Sequence, residues 1–100
     1  ATNWTKTQAF FDQAIFHQHL NFDIIAQSYY PFFHGALAKV EDCFERTAMR
    51  YDKPIVLVET AYPWTNRTWS DQLVINLTGY PTTPNGQAEY ASALVRMLQR

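Results

Sequence analysis

One cysteine, no cluster of basic residues and no long apolar run set the first limits on this 100-residue chain. Cys43 alone cannot close an internal disulfide, and no Cys/His pairing has the spacing of a zinc site. Eight basic residues stand against nine acidic ones, for a net charge of −1. Without a Lys/Arg run the chain cannot neutralise several phosphates at once, so nucleic acid is not an expected partner. The longest apolar runs are a few residues, far short of the roughly 20 that a membrane helix needs, and a soluble protein is expected. No repeat, low-complexity tract or linker divides the chain, so residues 1–100 are read as belonging to one domain without an internal boundary. Ala1 opens the chain without a charged-then-apolar leader, which leaves two readings: a targeting segment already removed, or a piece of something longer.

What is present is a hydrophobic content of 47%, in the range of a globular core. Phe10, Phe11, Ala14 and Ile15 recur at helical spacing and predict a helix from Thr5 to about Leu20, ended by Asn21. Ile24-Ile25-Ala26 opens an extended run through Tyr30, closed by Pro31, with a loop at His34-Gly35. Leu37, Val40, Phe44, Ala48 and Tyr51 predict a second helix, stopped at Asp52-Lys53-Pro54. A second strand covers Ile55 to Glu59, in a β-branched run expected to be fully buried. Ala61 to Thr83 is an irregular stretch beyond the roughly 12 to 15 residues at which a loop without secondary structure suggests function. Thr83-Pro84 then caps a last helix, with Ala88, Ala91, Val95 and Leu98 as its stripe and Tyr90, Leu94 and Met97 widening it.

Apolar strands alternating with helices predict parallel pairing with both faces covered. Two strands cannot supply that alone, so the chain reads as an interior portion of a larger α/β barrel or sheet. In such folds functional groups gather where strands end. Here those ends are Ser28-Tyr29-Tyr30-Pro31-Phe32-Phe33-His34 and Glu59-Thr60-Ala61-Tyr62-Pro63-Trp64. Hydroxyls and rings beside a lone carboxylate suit a sugar, with the carboxylate as nucleophile or proton donor at the anomeric carbon. Strand alternation lets only Tyr30, of the two tyrosines, face the same way as Ser28. His17 and His19, two apart on a helix, make a poor metal pair. His34 reads either as a loop histidine bonded to backbone or as a ligand group, and Trp64 and Trp69 either as a binding surface or as anchors of the long loop. Cys43 reads as a small packed residue. Asn3, Asn66 and Asn76 head Asn-x-Ser/Thr sequons, which matter only in a eukaryotic secretory pathway.

The segments "SYYPFFHG", "KPIVLVETAYPW" and "GYPTTPNGQAEY", in that order, resemble the last part of the β-1,4-galactanases of glycoside hydrolase family 53, a family of (β/α)8-barrel retaining glycosidases. The resemblance implies that the two strands are the barrel's sixth and seventh. It implies a secreted endo-hydrolase of the β-1,4-galactan of plant cell-wall pectin, monomeric when complete, with no cofactor. Glu59 takes the position of the family's nucleophile, Ser28 and Tyr30 orient sugar hydroxyls and Glu59 itself, and His34 and Trp64 are candidates for the walls of the sugar groove. Asn3-Trp4 resembles the end of the loop after the fifth strand, which in the family also contributes to substrate binding. The family's acid/base is a glutamate following an asparagine, a pair missing from this sequence, so it is expected upstream of Ala1, and the isolated 100-residue chain is expected to be an inactive fragment. Some members hold calcium near the loop after the seventh strand, but Asp71 is the one acidic residue there and gives calcium little support. Two competing readings are another barrel glycosidase of the same clan and a non-catalytic carbohydrate-binding α/β module.

Overall fold

A computed structural model describes residues 2–65 and 78–99. Asn66, Trp69, Asp71 and Asn76, within the long loop, lie outside the described residues. The element order is α1 (Trp4–Phe11) running into a π-helical stretch (Asp12–His17), β1 (Ile25–Tyr29), α2 (Pro31–His34), α3 (Leu37–Tyr51), β2 (Ile55–Thr60) and α4 (Pro84–Leu98). The two strands pair in parallel, as their apolar character predicts.

Asn3 starts α1 by accepting the Lys6 N–H on its side-chain oxygen at 3.0 Å, the usual service of an N-cap residue. The helix predicted to run to Leu20 ends sooner. After Phe11 the hydrogen bonds lengthen to the i→i−5 pattern, as in Gln18 N–H to Gln13 C=O, and His19 turns left-handed at φ 54. The predicted stripe nevertheless holds together: Phe10, Phe11, Ala14 and Ile15 line one apolar pocket with Leu20, Phe22 and Ile25, with Phe11, Ala14 and Ile15 half-buried and Phe10 67% exposed.

The core lies between one face of the sheet and the helices α3 and α4. Tyr29, Val40, Phe44, Tyr62, Tyr90, Leu94 and Met97 are buried together, with Leu37, Ile55, Leu57 and Tyr80 packed at the margin. On α3 the buried residues are Val40, Cys43, Phe44, Thr47 and Tyr51, close to the predicted stripe. Cys43 is packed as expected, its thiol donating to the Thr7 hydroxyl at 3.6 Å. On α4 the buried face is Gly86, Tyr90, Leu94 and Met97, three of which were expected only to widen the apolar stripe, and the stripe predicted through Ala88, Ala91, Val95 and Leu98 is exposed. Burying one tyrosine, one leucine and one methionine removes more apolar area than two alanines with a valine and a leucine. The expectation of fully buried strands also fails among the described residues: Ile55 and Leu57 face the helices, but Val56 and Val58 are 41% and 60% exposed on the other face.

Two local features make the packing testable. Gly86 sits so close to the preceding turn that an added Cβ would stand 1.9 Å from the Pro81 carbonyl oxygen. Helix propensity favours alanine over glycine by about 1 kcal/mol, whereas such a clash forces backbone movement costing roughly 1–3 kcal/mol or more. Gly86→Ala is therefore expected to lower the denaturation midpoint, and a raised midpoint would show that the turn yields freely. The second feature ties the π-helical stretch to the end of α3. Arg50 donates from Nε and Nη2 to the two Asp12 carboxylate oxygens at 2.8 Å each, and the Tyr51 hydroxyl donates to Asp12 at 2.7 Å. These bonds hold the Asp12 carboxyl down from 3.8 to about 2, the Arg50 bond contributing most. A lowered carboxylate stabilises the fold above the unfolded value and loses that contribution as pH falls through the folded one. In a pH series of melting curves Asp12→Asn should be the less stable protein near neutrality, the gap closing between pH 3.8 and about 2. Because Arg50 and Asp12 remain 37% and 23% exposed, the gap should also shrink in high salt.

Candidate active site at the strand ends

The site is built by the register of the two strands. Ile25, Ala26 and Gln27 pair with Ile55, Val56 and Leu57, after which the register slips, so that Ser28 pairs with Glu59 and Tyr29 with Thr60. Val58 is thus the extra residue of a β-bulge. In an unbulged strand alternation would send Glu59 to the same side as Ile55 and Leu57, against the helices. The inserted residue reverses that parity. Glu59 now shares a face with Ser28, the open face of the sheet, and is exposed. Thr60 turns to the helix side, where its hydroxyl meets the Tyr90 hydroxyl at 2.6 Å.

Tyr29 and Tyr30 separate as strand alternation requires. Tyr29 is fully buried, its hydroxyl donating to the Gly35 carbonyl at 2.5 Å, and burial pushes its phenol well above the ordinary value. Tyr30 is half-buried and stands just before α2, a single turn opened by Pro31 at its first position, where proline's fixed φ and missing N–H are harmless. His34 closes that turn by accepting the Tyr30 N–H on Nδ1 at 2.9 Å. An accepting Nδ1 has no room for a second proton, and burial also lowers the His34 pKa, so the neutral ring is the one that holds the turn. Phe32, Phe33 and His34 surround the Tyr30 ring at centroid distances of 5.8, 6.3 and 6.1 Å.

Beyond β2, Tyr62 anchors the start of the loop. Its ring stacks on Tyr90 at 4.6 Å, its hydroxyl lies 2.6 Å from that of Thr78 and donates to the Tyr80 carbonyl, and its own carbonyl accepts from Gln87 at 2.8 Å. With Tyr62 as the anchor, Trp64 is left 59% exposed just after the strand. Trp4 stands apart from the strand face. It is the half-buried first residue of α1, and the contacts of Thr7 with Cys43 and Asp12 with Arg50 run α1 alongside α3 in the same direction. Both helices therefore begin at the end of the sheet where the strands finish, and Trp4 belongs to the helical layer at that end.

Ser28, Tyr30, Glu59 and Trp64 are thus gathered at one end of the sheet, with His34 supporting Tyr30 from below. The bulge and the Thr60–Tyr90 contact had no signature in the sequence, because an unbroken apolar run reads the same with or without an extra residue. The four-residue α2 was too short for periodicity to detect, although Pro31 at its start was a signal. Chemically the arrangement offers one exposed carboxylate beside a hydroxyl and aromatic rings. β1 and its turn bring no second carboxylate, and among the described residues no group of three or more His, Cys, Asp or Glu side chains is placed to hold a metal ion. Among them, too, no helix is long and apolar enough to cross a membrane.

Comparison with known proteins identifies what this chain is similar to. The chain is 42% identical over 86 residues to a protein of Niallia circulans named "Uncharacterized protein in bgaB 5'region", covering 80% of this chain and 24% of that one. It is 33% identical over 88 residues to the arabinogalactan endo-beta-1,4-galactanase of Cellvibrio japonicus, covering 80% of this chain and 23% of the relative. The Ignisphaera aggregans GH53 catalytic domain superposes with a TM-score of 0.77 at 30% identity, over 92% of this chain and 28% of that structure. The chain therefore spans about a quarter of the length of these relatives, and its helices and two parallel strands are a portion of a (β/α)8 barrel. Residues 1–100 match glycosyl hydrolase family 53 throughout, and the chain belongs to that family.

Proposed function

We propose that this chain is the sixth- and seventh-strand portion of a secreted, monomeric endo-β-1,4-galactanase that works by retaining double displacement without a cofactor, with Glu59 as its nucleophile. The observation that carries this reading is the bulge at Val58, which turns Glu59 out of the helix interface and onto the open strand face beside Ser28. The names of the Cellvibrio, Aspergillus tubingensis and Bacillus subtilis relatives supply the substrate class. In the first step a Glu59 carboxylate oxygen bonds to the anomeric carbon of a galactosyl unit. The bond to the departing glycosidic oxygen breaks as an acid carboxyl about 5–5.5 Å from Glu59 protonates it. In the second, water deprotonated by that same group displaces Glu59 and restores the original anomeric configuration. The acid/base comes from a part of the barrel beyond these residues. Exposed Val56 and Val58 support that view, since parallel sheets are covered on both faces and the open face here would be the barrel interior. Ser28 and Tyr30 then orient sugar hydroxyls, His34 holds Tyr30 in place, and Trp64 offers an exposed ring for a pyranose to stack on. Trp4, set in the helical layer, reaches substrate only at the outer rim.

In the complete barrel Glu59→Gln should lower kcat on β-1,4-galactan by at least about 10³-fold. An activated 2-deoxy-2-fluorogalactoside should leave one fluorosugar on Glu59, found by peptide mass. Full activity without Glu59, or a label on a different residue, would refute the assignment, and turnover of xylan, mannan or cellulose in preference to galactan would refute the substrate. Trp64→Ala should raise KM several-fold with a smaller change in kcat, since it removes binding surface rather than a reacting group. An unchanged KM would make Trp64 a bystander.

A further inference from the structure

We infer that Tyr90, through Thr60, is a positioning residue for Glu59: the contact between their hydroxyls locks the bulged end of β2 and so decides which way the carboxylate points. The reason lies in the bulge. An extra residue can slide along a strand, and a slip of one position would send Glu59 back to the helix side. Upstream, Ile55 and Leu57 are held by packing against the core. Downstream of the bulge, Thr60 is the first residue facing the helices, and its hydroxyl lies 2.6 Å from the Tyr90 hydroxyl. Tyr90 is a firm post, being 3% exposed. Its ring stacks on Tyr62 at 4.6 Å and meets Tyr29, the cross-strand partner of Thr60, at 6.3 Å. Three tyrosines thus stand behind the strand end whose other face carries Glu59. Burial raises the Tyr90 pKa, so the phenol keeps its proton and can go on bonding to Thr60 across the neutral range.

The inference rests on Glu59 being the nucleophile, and it is tested in the complete barrel. Tyr90→Phe and Thr60→Val each remove one hydroxyl and leave the side-chain bulk, whereas Thr60→Ser keeps the hydroxyl. A carboxylate misdirected by about 1 Å costs up to roughly 100-fold in rate. Each of the first two variants should therefore lose about 10- to 100-fold in kcat, and in fluorosugar labelling of Glu59 by the same factor. KM should stay within about two-fold. Thr60→Ser should keep near-normal rates, and the double variant should be no slower than the slower single one, because both remove the same contact. Normal kcat in both single variants, a rise in KM alone, or failure of Thr60→Ser to preserve the rate would overturn the inference. If Tyr90→Phe does not fold, the comparison of Thr60→Val with Thr60→Ser decides it: a slow Val and a fast Ser support it, and equal rates refute it. An active, unlabelled Glu59→Gln enzyme would instead sink the nucleophile assignment, whereas a dead Glu59→Gln beside a fully active Tyr90→Phe would sink only the role of Tyr90.

Discussion

Parallel pairing of Ile25–Tyr29 with Ile55–Thr60 is the constraint on which the rest depends. Parallel strands need a crossover, and here the crossover is α3, whose Val40, Phe44 and Tyr51 are buried as it returns over the sheet. α4 follows β2 onto the same face with Tyr90, Leu94 and Met97. Both strands consequently finish at the same end, beside the starts of the helices. The groups of chemical interest come from the last residues of the strands, Ser28 and Glu59, and from residues just past them, Tyr30, His34 and Trp64. The arrangement follows from connectivity, since a chain leaving a parallel strand must turn at that end before it can come back.

Within that frame, direction is set by small departures from regularity. A bulge of one residue moves Glu59 from the buried side of β2 to its open side. One turn of helix after β1, closed by a hydrogen bond from the Tyr30 backbone to His34, lifts an aromatic group beside it. The tyrosines behind the sheet are as consequential as those in front. Tyr29, Tyr62 and Tyr90 form a packed group whose hydroxyls are spent on Gly35, Thr78, Tyr80 and Thr60. Buried phenols must find such partners, and finding them ties the strand end, the following loop and α4 into one unit.

Much of this was legible in the residues. Both strands, the second helix and the Thr83-Pro84 start of the last helix stood where hydrophobic spacing and stop signals put them, because strong periodicity and Pro or Asp boundaries are local properties. The split between Tyr29 and Tyr30 followed from alternation alone. On α4 the residues expected to widen the stripe, Tyr90, Leu94 and Met97, are the buried ones and the expected stripe itself is exposed, because two overlapping rows of apolar residues run along that helix and only the shape of the neighbouring surface chooses between them. The first helix was read too long, since spacing counts residues at a constant 100° per step and a π-helical turn breaks the count.

The amino-acid sequence by itself determined the alternation of helix and strand, the parallel character of the strands and the family to which the segment belongs, since these depend on periodicity and on motifs contiguous in the chain. Only the tertiary structure decided which side of the sheet Glu59 faces. That choice turns on a register slip between strands some thirty residues apart, held by a contact between Thr60 and Tyr90. Hydrogen bonds between distant segments leave no mark in the local pattern of either one.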